Sequence, residues 1–101
     1  MPKLYEYFGL VIYFYTNEHE PIHVHGEYQG RECKAELILR NGKIVKIIFS
    51  DVAGVPPLEG TKLRDFKKLV KIKGDEIVDR WIDYFVRHIH HKPQVITRKL
   101  K

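Results

Sequence analysis

Three histidines fall within seven residues, His19-Glu20-Pro21-Ile22-His23-Val24-His25. An imidazole takes or gives a proton near neutral pH, and in its neutral form it ligates metals. From Ile22 to Tyr28 apolar and polar residues alternate strictly, the period of a strand with one buried face. Ile22, Val24 and Gly26 then face one way, while His23, His25 and Glu27 face the other. His23 and His25 therefore stand side by side, and His19, in the loop before the strand, can fold back over them.

Three readings compete for this cluster. The first is a metal site for zinc or another divalent ion on His19, His23 and His25, since three histidines with an open position is a known catalytic zinc arrangement. Glu36 could orient an imidazole through its second nitrogen, whereas Lys34 would set a positive charge near the cation. A cupin-like site is disfavoured because the glutamate expected soon after the H-x-H pair is missing and the chain is short for a jelly roll. The second reading is acid/base chemistry on a phosphodiester, with His23, His25 and Glu36 as catalytic groups and Arg31 or Lys34 stabilising phosphate charge. Tyr13 and Tyr15 could offer stacking surfaces to unpaired bases. The third is an ordinary solvated sheet face in which His23, His25, Lys34 and Glu36 make cross-strand charge pairs. His88, His90 and His91 read instead as favourable positive charge at a helix C-terminus, and Cys33, on an apolar face, reads as a buried inert thiol. Phosphate-binding glycine loops, paired-cysteine zinc motifs and nucleophile elbows are missing from the sequence.

The elements that must position these residues follow from periodicity and turn residues. Leu10 to Tyr15 reads as a strand with Leu10, Ile12 and Phe14 inward and Val11, Tyr13 and Tyr15 on the other face. Gln29-Gly30 can close a two-residue hairpin. With Tyr28 opposite Arg31, an apolar face pairs Gly26, Val24 and Ile22 with Cys33, Ala35 and Leu37, and the polar face pairs His25 with Lys34 and His23 with Glu36. A slip of one residue would set apolar against polar, so burial selects this register. Asn41-Gly42 is the strongest turn signal; a three-residue loop ending at Lys43 would match Leu39, Leu37 and Ala35 with Val45, Ile47 and Phe49. After a loop rich in Gly and Pro, Thr61 is a plausible cap for a helix carrying Leu63, Phe66, Leu69 and Val70, with Gly74 ending it. Asp75 can cap a second helix with Ile77, Val78, Trp81, Ile82, Phe85 and Ile89 inward. Gln94 to Lys101 is either a frayed tail or a short strand through Val95 and Ile96.

The expected fold is α+β: an antiparallel meander of about four strands with two C-terminal helices on one face. Residues 1–91 would form a single domain and 92–101 a basic C-terminal tail. At 101 residues, 44% of them hydrophobic, the chain is one small domain able to close a core without staples. Its net charge of +5 points to an anionic partner. The 13 Lys and Arg up to Val86 are balanced by all 13 Asp and Glu, so the excess is Arg87, Lys92, Arg98, Lys99 and Lys101. A single cysteine permits no internal disulfide and suits a reducing cytoplasm. The apolar run from Tyr7 to Tyr15 is far shorter than the ~20 residues of a membrane helix. Glu6 and the lack of a small-residue cleavage site make it a poor signal peptide.

The segment Gly9 to Gly26, GLVIYFYTNEHEPIHVHG, resembles a family of small prokaryotic proteins of unknown function that carry H-x-P-P-H-x-H after a first apolar strand. The resemblance continues through Pro56-Pro57-Leu58 and the segment around Trp81. His19, Pro21, His23 and His25 correspond to the motif, and Ile22 stands where a second proline is usual. Members look like components of two-gene modules predicted to be toxin–antitoxin pairs. The resemblance thus implies a nucleic-acid-directed toxin with a small antitoxin-like protein as partner, and together with the acid/base reading of the histidines it gives a toxin-like module acting on RNA. The alternative is a non-catalytic module binding metal or a protein partner through His19, His23 and His25.

Overall fold

The computed structural model describes residues 2–14 and 22–100. The described residues form β1 (Lys3–Tyr7), β2 (Leu10–Tyr13), β3 (Ile22–Tyr28), β4 (Arg31–Arg40), β5 (Lys43–Asp51), α1 (Gly60–Phe85) and β6 (Gln94–Ile96). The sheet runs β5-β4-β3-β2-β1-β6. Its neighbours are antiparallel except β1 and β6, which are parallel. The architecture is α+β, but the sheet is six-stranded and mixed where four antiparallel strands were expected, and one helix stands where two were expected.

Three hairpins share one turn chemistry. Phe8-Gly9, Gln29-Gly30 and Asn41-Gly42 each have φ between 48° and 88°, the pattern of a two-residue type I′ turn that matches the twist of its strands. The first of these turns breaks the apolar run after Tyr7 and creates β1, which periodicity alone did not reveal. The second holds the β3–β4 register expected from burial, with His25 opposite Lys34 and His23 opposite Glu36. The third corrects the expected three-residue loop: Arg40 pairs with Lys43 directly, and Leu39 meets Ile44. A bulge then leaves Val45 59% exposed and restores the expected pairs Leu37–Ile47 and Ala35–Phe49.

The helix is continuous for 26 residues, so Gly74 does not end it and Asp75 does not cap a second one. Glu59, in extended backbone, holds the N-cap position expected of Thr61. The buried stripe Phe66, Val70, Gly74, Ile77 and Trp81 keeps helical phase through the glycine. A Cβ at Gly74 would lie 2.9 Å from Ile44 Cδ1, so the glycine lets the helix approach β5 closely. An interior glycine costs about 1 kcal/mol of helix propensity relative to alanine. At Gly26 an added Cβ would come within 2.5 Å of the Phe66 ring, which fills the space left by the missing side chain. Phe66, Leu69, Val70 and Ile77 join Leu10, Ile12, Phe14, Val24, Ala35 and Leu37 in one core on this face. The helix ends at Phe85, so Ile89, expected inward, is 47% exposed. His88, His90 and His91 follow the helix instead of closing it, and His91 Nε2 lies 2.7 Å from Asp83 Oδ2.

Beyond the helix the chain returns to the sheet. Tyr5, Glu6 and Tyr7 pair with Gln94, Val95 and Ile96, which realises the strand alternative for this segment. The Leu100 N–H donates to the Tyr7 hydroxyl at 3.0 Å. Among the described residues no helix is long and apolar enough to cross a membrane.

Candidate functional site on the open face of the sheet

Strand alternation sends Tyr13 of β2, His23, His25 and Glu27 of β3, and Glu32, Lys34 and Glu36 of β4 to the face opposite α1. In the register Tyr13 lies beside His25, His25 beside Lys34, and His23 beside Glu36. An open sheet face is ordinarily solvated, yet here three polar residues are buried: His25 and Tyr13 are 3% exposed and Glu32 is 7% exposed. Buried polar groups of this kind persist only when hydrogen-bonded.

One carboxylate meets that requirement. The Tyr13 hydroxyl donates to Glu32 Oε1 at 2.7 Å, and His25 Nδ1 lies 3.1 Å from Glu32 Oε2. The two carboxylate oxygens thus divide between the phenol and the imidazole. The ring orientation of His25 is thereby tied to its neighbour. The Glu32 backbone N–H donates to the Pro56 carbonyl at 2.9 Å, tying β4 to the loop that leads into α1. The Tyr13 and His25 rings stack with centroids 5.6 Å apart, and the half-buried His23 ring lies 5.7 Å from that of His25 at 56°. The result is an imidazole pair on rigid strands, its inner member clamped by a carboxylate and its outer member nearer the surface.

The expected site residues divide by position. His23, His25, Lys34, Glu36 and Tyr13 share this face. Tyr13 serves the carboxylate and stacks on His25. Arg31 does not join them: it falls two residues before Cys33 on the helix side, donates to the Pro57 carbonyl at 3.2 Å and pairs with Glu59 at 3.4 Å. Tyr15 and His19 lie outside the described residues. Among the described residues no group of three His, Cys, Asp or Glu is placed to hold a metal ion. Cys33 is buried as expected, and burial pushes its thiol pKa up.

Sequence reasoning missed Glu32. It sits diagonally from His25, across the strand pair and two positions away from the directly opposed Lys34. Side chains of this length bridge such diagonals. A signal was present, because the expected register sets Glu27 and Glu32 face to face. Two carboxylates directly opposed repel, so one of them needs a cationic or donor neighbour.

The fold and site define a small α+β domain in which one helix backs a six-stranded sheet whose other face carries histidines. Residues 9–82 match the family model described as Domain of unknown function (DUF4160), and the chain belongs to that family. The match takes in the whole histidine face, while β1 and β6 lie outside it. No curated protein and no solved structure matches the chain.

Proposed function

We propose that this domain is a toxin-like module acting on RNA by proton transfer. His23 meets the phosphodiester, and Glu36 orients it from the facing strand. His25 stands behind it as a positioning residue, and Lys34 supplies positive charge for the phosphate. The observation that supports this reading most is the Glu32 carboxylate, which takes hydrogen bonds from both Tyr13 and His25. Such a clamp holds the inner imidazole in one orientation against the ring of His23, a form of the preorganisation that acid/base catalysis requires. The toxin–antitoxin character implied by the histidine motif fits a small protein partner that masks the same face. Expression in a bacterial host is expected to arrest growth, and substitution of the half-buried His23, His23→Ala, to relieve the arrest while melting like the parent. His25→Ala is expected to relieve it too, but with a lowered melting temperature because the buried Glu32 carboxylate loses a partner. A wild-type chain that neither slows growth nor cleaves RNA overturns the proposal.

A second reading is a non-catalytic module that binds metal, or a protein partner, through His19, His23 and His25. It is favoured by the Glu32 contact to Nδ1, since metal-bound histidines commonly present their other nitrogen to a carboxylate. Stoichiometric zinc in protein purified without a histidine tag, lost on replacing His19, His23 or His25, decides for it.

A further inference from the structure

The charges of α1 run against its own dipole. The first half carries Lys62, Arg64, Lys67, Lys68, Lys71 and Lys73 against Asp65, and the second half carries Asp75, Glu76, Asp79 and Asp83 against Arg80. A helix favours the reverse order, with acids near its N-terminus and bases near its C-terminus. The two halves also differ in pairing. Arg80 lies 3.8 Å from Glu76, and Arg87 and His91 both reach Asp83. Among the described residues no carboxylate lies within ion-pair distance of any basic residue in the first half. Lys62 and Lys68 donate instead to the carbonyls of Phe8 and Leu100, and Lys67 lies over the Phe49 ring.

These contacts assemble a cleft. Lys62, Lys68 and Lys99 line it together with Thr61, Asp65, Tyr7, Phe8 and Leu100, and its volume is roughly 440 Å³. Phe8 is 49% exposed, packs edge-on to Tyr7 and has φ of +48°, a left-handed conformation that is strained for an aromatic residue. A turn position that glycine or asparagine would fill comfortably thus holds a ring at the surface, beside three lysines without carboxylate partners. Strain of this kind points to a role for the side chain.

We infer that this cleft binds single-stranded nucleic acid, with phosphates on Lys62, Lys68 and Lys99 and a base stacked on Phe8. Exposed aromatics interleaved with cations are what an unpaired strand requires. The cleft lies on the helix side, apart from the histidine face, so binding here does not depend on His23 and the two readings can fail separately.

The test is fluorescence anisotropy with a labelled single-stranded RNA 12-mer, run against the full chain at several salt concentrations. Binding is expected to weaken as salt rises, and the triple variant Lys62→Gln, Lys68→Gln, Lys99→Gln is expected to lower the salt slope by about 2, near 0.7 per lost phosphate contact. Phe8→Gly relieves the left-handed strain, so it is expected to fold at least as well as the parent while losing affinity on the order of ten-fold. Val45→Ser, on the exposed bulge of β5 and outside both the cleft and the histidine face, is expected to bind with unchanged affinity. Three results overturn the inference: no RNA binding at low salt, affinity untouched by both the triple variant and Phe8→Gly, or polyglutamate competing as well as RNA.

Discussion

The two faces of the sheet are built on different physics. The helix side is apolar and jigsaw-packed: Gly26 makes room for Phe66, Gly74 makes room for Ile44, and fully buried Leu, Ile, Val and Phe side chains close the layer. The opposite face buries polar groups, and there one carboxylate hydrogen-bonds both Tyr13 and His25. Apolar packing is non-directional and tolerates small shifts, whereas a hydrogen-bonded trio fixes ring orientation. The densest apolar packing therefore lies on one face and the oriented polar side chains on the other.

Substitutions on each side separate these roles. Phe66→Ala removes the ring that fills the hollow over Gly26 and is expected to cost about 3–5 kcal/mol in denaturant unfolding. His23 and His25 NMR signals are expected to stay near their positions as long as the domain folds. Glu32→Ala takes a hydrogen-bond partner from a buried hydroxyl and from a buried imidazole nitrogen, and is expected to cost about 1–3 kcal/mol. That variant should shift both histidine signals strongly, and equal shifts from Phe66→Ala would erase the distinction between the faces. Gly26→Ala forces the Phe66 ring aside and is expected to cost about 1–3 kcal/mol, again without reaching the histidines.

Smaller effects come from titration. Burial raises the pKa of Cys33 and of Tyr5, whose hydroxyl also donates to Glu76 at 2.6 Å. The unfolded chain then releases these protons first. Their contribution is complete below the ordinary thiol value of 9.0 and is lost as pH rises through the folded-state values, so melting temperature should fall on the alkaline side. Cys33→Ala is expected to flatten the start of that decline. Native protein should also react slowly with a thiol reagent and rapidly once unfolded. The smallest effect belongs to the half-buried Asp83, whose carboxyl is held below its usual range by the His91 hydrogen bond and by Arg87. Its contribution is present above the ordinary carboxylate range and fades as pH falls through the lowered value. Asp83→Asn should soften the acid limb slightly.

Much of the frame was legible in the residues. Alternation in Ile22 to Tyr28 and the Gln29-Gly30 turn specify the β3–β4 register, because any slip would bury charge. The open face could be read the same way as far as His23, His25, Lys34 and Glu36. Gly74 misled because glycine is both a helix terminator and a packing residue, and only the contact with Ile44 distinguishes the two. Phe8-Gly9 hid β1 because an aromatic residue is rarely asked to adopt positive φ. β6 depends on a parallel partner almost ninety positions away, which local pattern cannot supply. Glu32 was missed for a related reason: direct cross-strand pairs follow from register, whereas a diagonal bond depends on side-chain reach and burial.

The central claim is that the open face carries the chemistry through His23. It is tested most directly by cleavage of a labelled single-stranded RNA by purified wild type and by His23→Ala, with both proteins shown to melt at the same temperature. Cleavage by the wild type and a loss on the order of 10² to 10⁴-fold in His23→Ala is the predicted result. No cleavage by the wild type, or equal cleavage by both, contradicts it.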